Sequence, residues 1–443
     1  MNAIDNLVLK NLGIEQLNKM QHESQRAILS KGDTLLLSPT GSGKTLAFLL
    51  PISQLLDKEF NSVQCLIIVP SRELGLQIEK VWKQMGTGLK VNFCYGGHSI
   101  ETELNNLRNP PALLIGTPGR LVDHLERNSI DLSQVQTIVL DEFDKSLQLG
   151  FHEEMEFIIQ KLTNIKKRIL VSATDSIQIP NFVGIKNLNR VNFLSEEINE
   201  NLSTKLVYSK EKDKINTLFQ LICSLNSESA IIFCNHREAT ERTCELLNQK
   251  GIYTAYYHGG MDQEDRERVL IKFINGSVRY LVATDLASRG LDILSVNHVI
   301  HYHLPTKEED FVHRNGRTAR MNATGTVYLL LHAEEKLYDY IDYDGEVMAI
   351  DSKVNLPKEP EFKTLYISGG KKNKLNKTDI VGFFIQVGKL PKEAIGKIEV
   401  KDFVSFVAIK SNELKKLLQQ VKDQKIKGKK YKIEEAREVV KIN

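Results

Sequence analysis

"DTLLLSPTGSGKTLAFLLPISQLL", residues 33–56, sets a short threonine-leucine run, a glycine-rich loop and an apolar stretch one after another. The uniform apolarity of the first run fits a strand buried on both faces, as in parallel sheets covered by helices. The third stretch has the length and composition of a buried helix. Between them, Ser38, Thr40, Gly41, Ser42 and Gly43 form a loop whose successive N–H groups can turn inward around a phosphate. Lys44 would then reach β- and γ-phosphate oxygens, and the Thr45 hydroxyl would face Mg²⁺. An unrelated glycine-rich turn is the alternative; the strand before and the helix after are what a phosphate loop requires. Ser38 stands where the usual pattern begins with glycine or alanine.

A phosphate loop needs an acidic partner at the tip of a neighbouring strand. "TIVLDEFD", residues 137–144, supplies three carboxylates after an apolar run. Asp141 would hold Mg²⁺, Glu142 would polarise an attacking water, and Asp144 would tie the turn to Ser172 and Thr174 of "ILVSAT". The paired motifs imply a nucleoside triphosphate with Mg²⁺. Similar runs recur as "CLIIVP", "ALLIGTP", "AIIFCN", "YLVATD" and "HVIHYHLP", so a second series of parallel strands follows the first. "LSEEINENLST" (residues 194–204) and "DSKVNLPKEPEF" (residues 351–362) read as linkers.

The 443 residues suffice for two or three domains with cores of their own. Hydrophobic residues at 41% and charged residues at 26% exclude a disordered chain. The N-terminus lacks the basic and apolar regions of a signal peptide, and no apolar stretch is long enough for a bilayer span. Five cysteines without a C-x-x-C pair read as reduced thiols, so a cytoplasmic location is expected and zinc is not. The net charge of +3 conceals an asymmetry: residues 361–443 carry 20 Lys+Arg and 10 Asp+Glu, a net of +10. The remainder carries 39 and 46, a net of −7, so a basic module that seeks polyanions follows an acidic body.

Beyond these two motifs, the chain resembles the DEAD-box RNA helicases of superfamily 2 over roughly residues 1 to 335, motif by motif and in order. The likeness is carried by "PSRELGLQ" (residues 70–77), Gly96-Gly97, "TPGR" (117–120), "IIFCNHR" (231–237), "HGGMDQEDR" (258–266), "ATDLASRGLD" (283–292) and "HRNGRTAR" (313–320). It implies two tandem RecA-like, doubly wound parallel-sheet domains, over residues 1–196 and 205–350. Gln21 would read adenine, and Asp292 would meet the ribose. His313, Arg317 and Arg320 would act at the γ-phosphate, the arginines reaching it from the other domain. Arg72, Gly97, Thr117, Arg120, Arg237, His258, Gln263, Arg266 and Thr284 would hold RNA, mainly by its sugar-phosphate backbone. The sequence also departs from the family elsewhere. Asp-Glu-Phe-Asp replaces the name-giving tetrad, Ala319 replaces a glycine, Phe311 replaces a tyrosine, "LNKM" replaces the usual Pro-Thr-Pro-Ile before Gln21, and the aromatic expected upstream of it is missing. Adenine would have to stack on an aliphatic chain such as Ile4 or Leu7.

Residues 361–443 have a β-α-β-β-α-β pattern, with strands near 364–369, 395–400, 403–409 and 430–435 and helices near 376–387 and 411–424. That is the order of an RRM-like α+β domain. Phe406-Val407 fits its third strand, but Val404 stands where a stacking aromatic is expected. "LYISGGKKNKL", "IGKIEV" and "KIKGKKYKI" resemble the RNA-binding domain of the DbpA type of DEAD-box protein. The resemblance implies binding to a hairpin of large-subunit (23S) ribosomal RNA through Lys371, Lys372, Lys374, Lys427, Lys429 and Lys430. The whole reads as a monomeric ATP-dependent RNA helicase acting on double- and single-stranded RNA in pre-ribosomal particles, away from membranes. An RNA clamp or remodeller with the same ATPase, without productive unwinding, remains the alternative.

Overall fold

The computed structural model describes residues 3–97, 100–175, 178–194, 202–288, 296–319, 324–341, 343, 345, 347–351 and 354–437. Arg320 and Asp292 lie outside these residues. The chain forms two compact units. The first comprises residues 1–200 with segments 288–292 and 309–322; the second holds the rest.

In the first unit β1 (Thr34–Leu37), β2 (Cys65–Ile68), β3 (Val91–Cys94), β4 (Leu113–Gly116), β5 (Thr137–Leu140), β6 (Lys167–Ser172) and β7 (Asn189–Asn192) form one sheet. Its order is β3-β4-β2-β5-β6-β1-β7, with every pair parallel. The helices are α1 (Ala3–Leu12), α2 (Lys19–Leu29), α3 (Lys44–Leu55), α4 (Arg72–Met85), α5 (Ile100–Leu107), α6 (Pro118–Glu126), α7 (Phe143–Gln148) and α8 (His152–Gln160). Leu36, Ile67, Ile115, Val139 and Val171 enter one apolar cluster, while Leu35, Leu66, Leu114, Ile138 and Leu170 enter another. Successive strand residues point to opposite faces, so strands apolar at every position mean a sheet buried on both sides.

The second unit repeats the scheme with β8 (Leu202–Ser209), β9 (Ala230–Phe233), β10 (Thr254–Tyr257), β11 (Tyr280–Ala283), β12 (His298–His301) and β13 (Gly325–His332). They lie in the order β10-β11-β9-β12-β13-β8, again all parallel. Helices α9 (Ile215–Ser224), α10 (Arg237–Gln249), α11 (Gln263–Ile274) and α12 (Glu308–Asn315) follow in sequence, α12 belonging from Glu309 on to the first unit. The stretch read as a linker up to residue 204 ends earlier: residues 202–204 already pair with Gly325, Thr326 and Val327. "LSTKLVYS" mixes polar and apolar residues as an edge strand does, and polarity alone hid it.

The basic C-terminal part of this unit has β14 (Phe362–Ile367), α13 (Lys377–Gln386), β15 (Ile395–Val400), β16 (Ser405–Lys410), α14 (Leu414–Val421), β17 (Lys425–Ile426), β18 (Lys429–Lys430) and β19 (Ile433–Glu435). The antiparallel order is β15-β16-β14-β19. The strand expected over 430–435 is split: Lys429 and Lys430 turn back on β17, and only Ile433–Glu435 joins β14. Lys427 at φ 51° and Gly428 at φ 79° make that hairpin turn. One face of the sheet packs on α11 within the unit, where Phe406 and Ala436 bury Ile271. Thr364, 1% exposed, is satisfied there by Ser277 at 2.7 Å and Asn275 at 3.2 Å.

Candidate nucleotide and RNA site

The phosphate loop leaves β1 and enters α3 through Gly41 (φ 90°) and Gly43 (φ 89°), conformations open to glycine at no steric cost. Ser38 Oγ donates to Ser42 Oγ at 2.7 Å, and the Lys44 ammonium donates to the carbonyls of Ser38 (2.5 Å) and Pro39 (2.8 Å). Burial lowers the Lys44 pKa, the carboxylates of Asp141, Glu142 and Asp144 oppose that shift, and the Arg317 charge adds to it. Burial, with the Glu142 charge second, raises the Asp141 pKa. A loop ammonium thus stands against a run of buried acids.

Gln21 and Asn18 cap α2 reciprocally: Asn18 Oδ1 accepts from the Gln21 N–H at 2.8 Å, and Gln21 Oε1 accepts from the Asn18 N–H at 3.0 Å. The Gln21 amide also donates to the Gly43 carbonyl at 3.3 Å, and Asn18 Nδ2 donates to the Ser42 carbonyl at 3.0 Å. The glutamine expected to read adenine is therefore bonded at both ends to the protein. It braces α2 on the phosphate loop. Asn18 was missed in the sequence, although Asn-x-x-Gln before an apolar run is a capping signal. Of the two aliphatic residues proposed to cover adenine, Ile4 packs on the core and Leu7 is exposed.

Asp141 ends β5 and accepts the Glu142 N–H at 2.9 Å. Glu142 has φ 44°, a left-handed conformation that costs a non-glycine residue about 1–3 kcal/mol. What holds it there is its neighbour. Phe143 is buried in the apolar cluster with Leu121, Leu140 and Met155, so its ring points into the core and away from the carboxylates. Asp144 is also buried: Thr174 Oγ1 donates to it at 3.4 Å, and His313 Nε2 lies 3.1 Å away. Ser172 Oγ donates to the Thr174 carbonyl at 2.8 Å and closes the turn after β6. His313 Nδ1 is 3.4 Å from Thr40 Oγ1, and a Cβ on Gly316 would come within 2.8 Å of Thr40 Cβ. Arg317 is 3% exposed in the same unit. Ala319, where the family keeps glycine, has φ 49°.

The candidate Mg²⁺ ligands suit a cation. Asp141 is buried with its charge disfavoured, and Glu142 Oε2 is buried without a hydrogen-bond partner among the described residues. Thr45 is half-buried at the start of α3.

The residues expected to hold RNA gather at the carboxyl ends of three adjacent strands in each sheet. In the first unit they follow β2, β3 and β4. Arg72 opens α4 with its guanidinium 4.3 Å from the Tyr95 ring, Gly97 has φ 80°, and Thr117 caps α6. Arg120 donates to Glu103 at 2.8 Å and to Asp123 at 3.1 Å. His124 Nε2 is 2.7 Å from Glu103 as well, which makes Glu103 the positioning residue for Arg120. Nothing in the sequence marked it. Cys94, Glu103 and His124 have ligand-type atoms within 4.8 Å of one another, but the Arg120 guanidinium already supplies the cation there.

In the second unit the set follows β9, β10 and β11. Arg237 opens α10, and Gly260 could not take a Cβ without coming within 3.3 Å of its guanidinium. His258 stacks on Tyr256 with ring centroids 5.2 Å apart and lies 2.8 Å from Glu241. Gln263 and Arg266 share one face of α11, and the guanidinium donates to the Gln263 amide oxygen. Thr284 donates its N–H to the Tyr257 carbonyl at 3.2 Å. In the C-terminal sheet Lys371, Lys372, Lys374 and Lys429 are exposed. Lys427 pairs with Asp379 at 3.1 Å and Lys430 with Asp423 at 2.5 Å, so two of the six expected RNA lysines are partly neutralised.

Burial raises the thiols of Cys65 and Cys94, the latter to about 12, and all five cysteines are free. Among the described residues no helix is long and apolar enough to cross a membrane.

Three family models match in order: DEAD/DEAH box helicase over residues 18–181, helicase conserved C-terminal domain over 213–322, and DbpA RNA binding domain over 364–435. The chain is 32% identical to the ATP-dependent RNA helicase DbpA of Bacillus subtilis, over 97% of this chain and 96% of that protein. It is also 32% identical to that of Escherichia coli, over 95% and 94%. Yeast Dbp5 bound to RNA and ADP BeF3 superposes with a TM-score of 0.68 at 25% identity, covering 75% of this chain and 90% of Dbp5. Mss116p bound to ssRNA and AMP-PNP gives a TM-score of 0.66 at 27% identity, covering 75% of this chain and 73% of Mss116p. With motifs, both parallel sheets and a DbpA-type RNA-binding domain in agreement, the chain belongs to the DEAD-box ATP-dependent RNA helicases of the DbpA type.

Proposed function

We propose that this helicase opens short RNA duplexes locally, in large-subunit ribosomal RNA during assembly of the particle, and that it acts as a monomer. Three modules divide the work: residues 1–196 bind ATP and supply the general base, residues 205–350 add His313, Arg317 and Arg320 to the reaction and hold RNA, and residues 361–443 choose the RNA. Lys44 and the loop N–H groups hold the β- and γ-phosphates, and Gln21 braces the loop beside the adenine. Thr45 and Asp141 would hold Mg²⁺, which would supply positive charge to offset that of the transferred phosphoryl group. Glu142 orients the attacking water and takes its proton. Arg317 and Arg320 balance charge that develops on the γ-phosphate, and Asp292 meets the ribose.

The observation that carries this reading is the pair of contacts that Asp144 makes, one from the Thr174 hydroxyl and one with the His313 ring. One carboxylate is shared by Thr174 and His313, and His313 also reaches Thr40 of the phosphate loop. A change at the γ-phosphate can thus be felt at once by the acidic turn, the Ser-Ala-Thr turn and α12. Arg72, Thr117, Arg120, Arg237, Arg266 and Thr284 offer backbone-type contacts suited to any RNA sequence. Target choice falls to the basic C-terminal sheet, a role supported by the DbpA relatives.

The test is RNA-stimulated phosphate release by the full chain and by Glu142→Gln. Loss of a general base predicts a rate lower by about 10²–10⁴-fold with RNA binding retained. Equal rates would remove Glu142 from the mechanism. Strand separation of a short duplex distinguishes the helicase from a clamp, which would hydrolyse ATP without releasing the strand. Crosslinking in cells with sequencing of bound RNA tests the ribosomal part, which fails if large-subunit rRNA is not recovered.

A further inference from the structure

Phe403 is 68% exposed, more than any other large hydrophobic side chain among the described residues. It sits in the turn between β15 and β16, and that turn is fastened to the lysine loop by backbone hydrogen bonds. The Lys371 N–H donates to the Lys401 carbonyl and the Lys372 N–H to the Asp402 carbonyl, both at 2.8 Å. Gly370 makes the approach possible, because a Cβ there would lie 2.2 Å from the Lys401 oxygen. The aromatic ring and the exposed lysines are therefore held together by main chain, independently of flexible side chains. On the other side, the Lys401 ammonium lies 3.8 Å from Glu267 of α11, and Gln263 Nε2 donates to Glu267 at 3.3 Å. Gln263, Arg266 and Glu267 stand at i, i+3 and i+4, one helix face.

The sheet face on which such domains stack bases is not open here. Phe406 is buried against Ile271, with Tyr366 edge-on to it at 5.8 Å. An aromatic is still available to RNA, at the edge of the sheet rather than on its face. We propose that Phe403 stacks on an unpaired base of bound RNA, and that the nucleotides beside it run between Lys371 and Lys372 on one side and the Gln263–Arg266 face of α11 on the other. This rests on the reading that those lysines and α11 hold RNA. A flat apolar ring suits any base, and neighbouring ammonium groups suit the phosphates that flank it.

The experiment measures binding of the full chain to a single-stranded oligoadenylate and to a hairpin with a single-stranded flank, as a function of salt. Phe403→Ala weakens binding to both by about 5- to 100-fold, the loss of one stacked base, without changing the salt dependence. Phe403→Trp retains affinity, and its indole fluorescence is quenched on adding RNA, over the steady background of buried Trp82. Lys371→Gln with Lys372→Gln serves as the comparison and lowers the salt dependence. If the lysine variant loses affinity while Phe403→Ala binds as the parent, Phe403 faces a protein or solvent and this inference is overturned. If neither variant moves the affinity, the inference falls together with the assignment of RNA to this surface.

Discussion

The phosphate loop of the first sheet and the lysine loop of the C-terminal sheet both gather positive charge for phosphate, by opposite means. Around Lys44 the charges are largely withdrawn from water and act on one another, and the backbone is held in left-handed conformations at Gly41, Gly43 and Glu142. Around Lys371 and Lys372 the ammonium groups stand in water without carboxylate partners among the described residues, and only the backbone beneath them is tied. Buried charges interact strongly because little solvent screens them, so one altered group upsets the whole set. Exposed charges interact weakly and nearly independently, so they add affinity in increments that salt removes. The first arrangement suits a reaction, the second a grip.

Three variants probe that contrast. The largest effect is expected at Phe143, where restoring the family alanine should harm the protein. Phe143→Ala removes a buried ring and should cost about 3–5 kcal/mol in denaturant unfolding of the first unit. It should also loosen the strained Glu142. Stability equal to the parent would mean that the ring does not anchor the acidic turn. An intermediate effect is expected at Gly370. Gly370→Ala drives a methyl group against the Lys401 carbonyl and should cost about 1–3 kcal/mol. Faster amide exchange at Lys371 and Lys372 would report it, and unchanged exchange would break the claim that main chain fixes the lysine loop. The smallest effect belongs to the lysines. Lys371→Gln with Lys372→Gln should lower the slope of log affinity against log salt by about 1.4–1.8, leaving stability within about 0.5 kcal/mol. A collapse of stability instead would place these lysines in the buried class.

The two parallel sheets follow one plan, and the comparison explains why so much of the plan was readable. In each, the loops expected to hold RNA leave three adjacent strands, β3-β4-β2 and β10-β11-β9. The first sheet adds the phosphate loop after β1, the acids after β5 and the Ser172–Thr174 turn after β6, the other half of the same edge. Ligands of such sheets meet the carboxyl ends of strands, so a motif directly after an apolar run already has an address.

The sequence by itself determined the most apolar strand runs, the phosphate loop, the acidic turn and the β-α-β-β-α-β order of the C-terminal part, because each depends on residues close together in the chain; strands such as β3, β7 and β10 it did not mark. Local turn geometry and alternation of side chains suffice for these. Only tertiary structure decided that the Phe143 ring enters the core, that Glu103 holds Arg120, that Gln21 is bonded at both ends, and that the stacking face of the C-terminal sheet is spent on α11. Each of these depends on which surface a side chain meets across a long separation in sequence. A buried polar group must find its partner wherever packing puts one, and a single sequence does not say where that is.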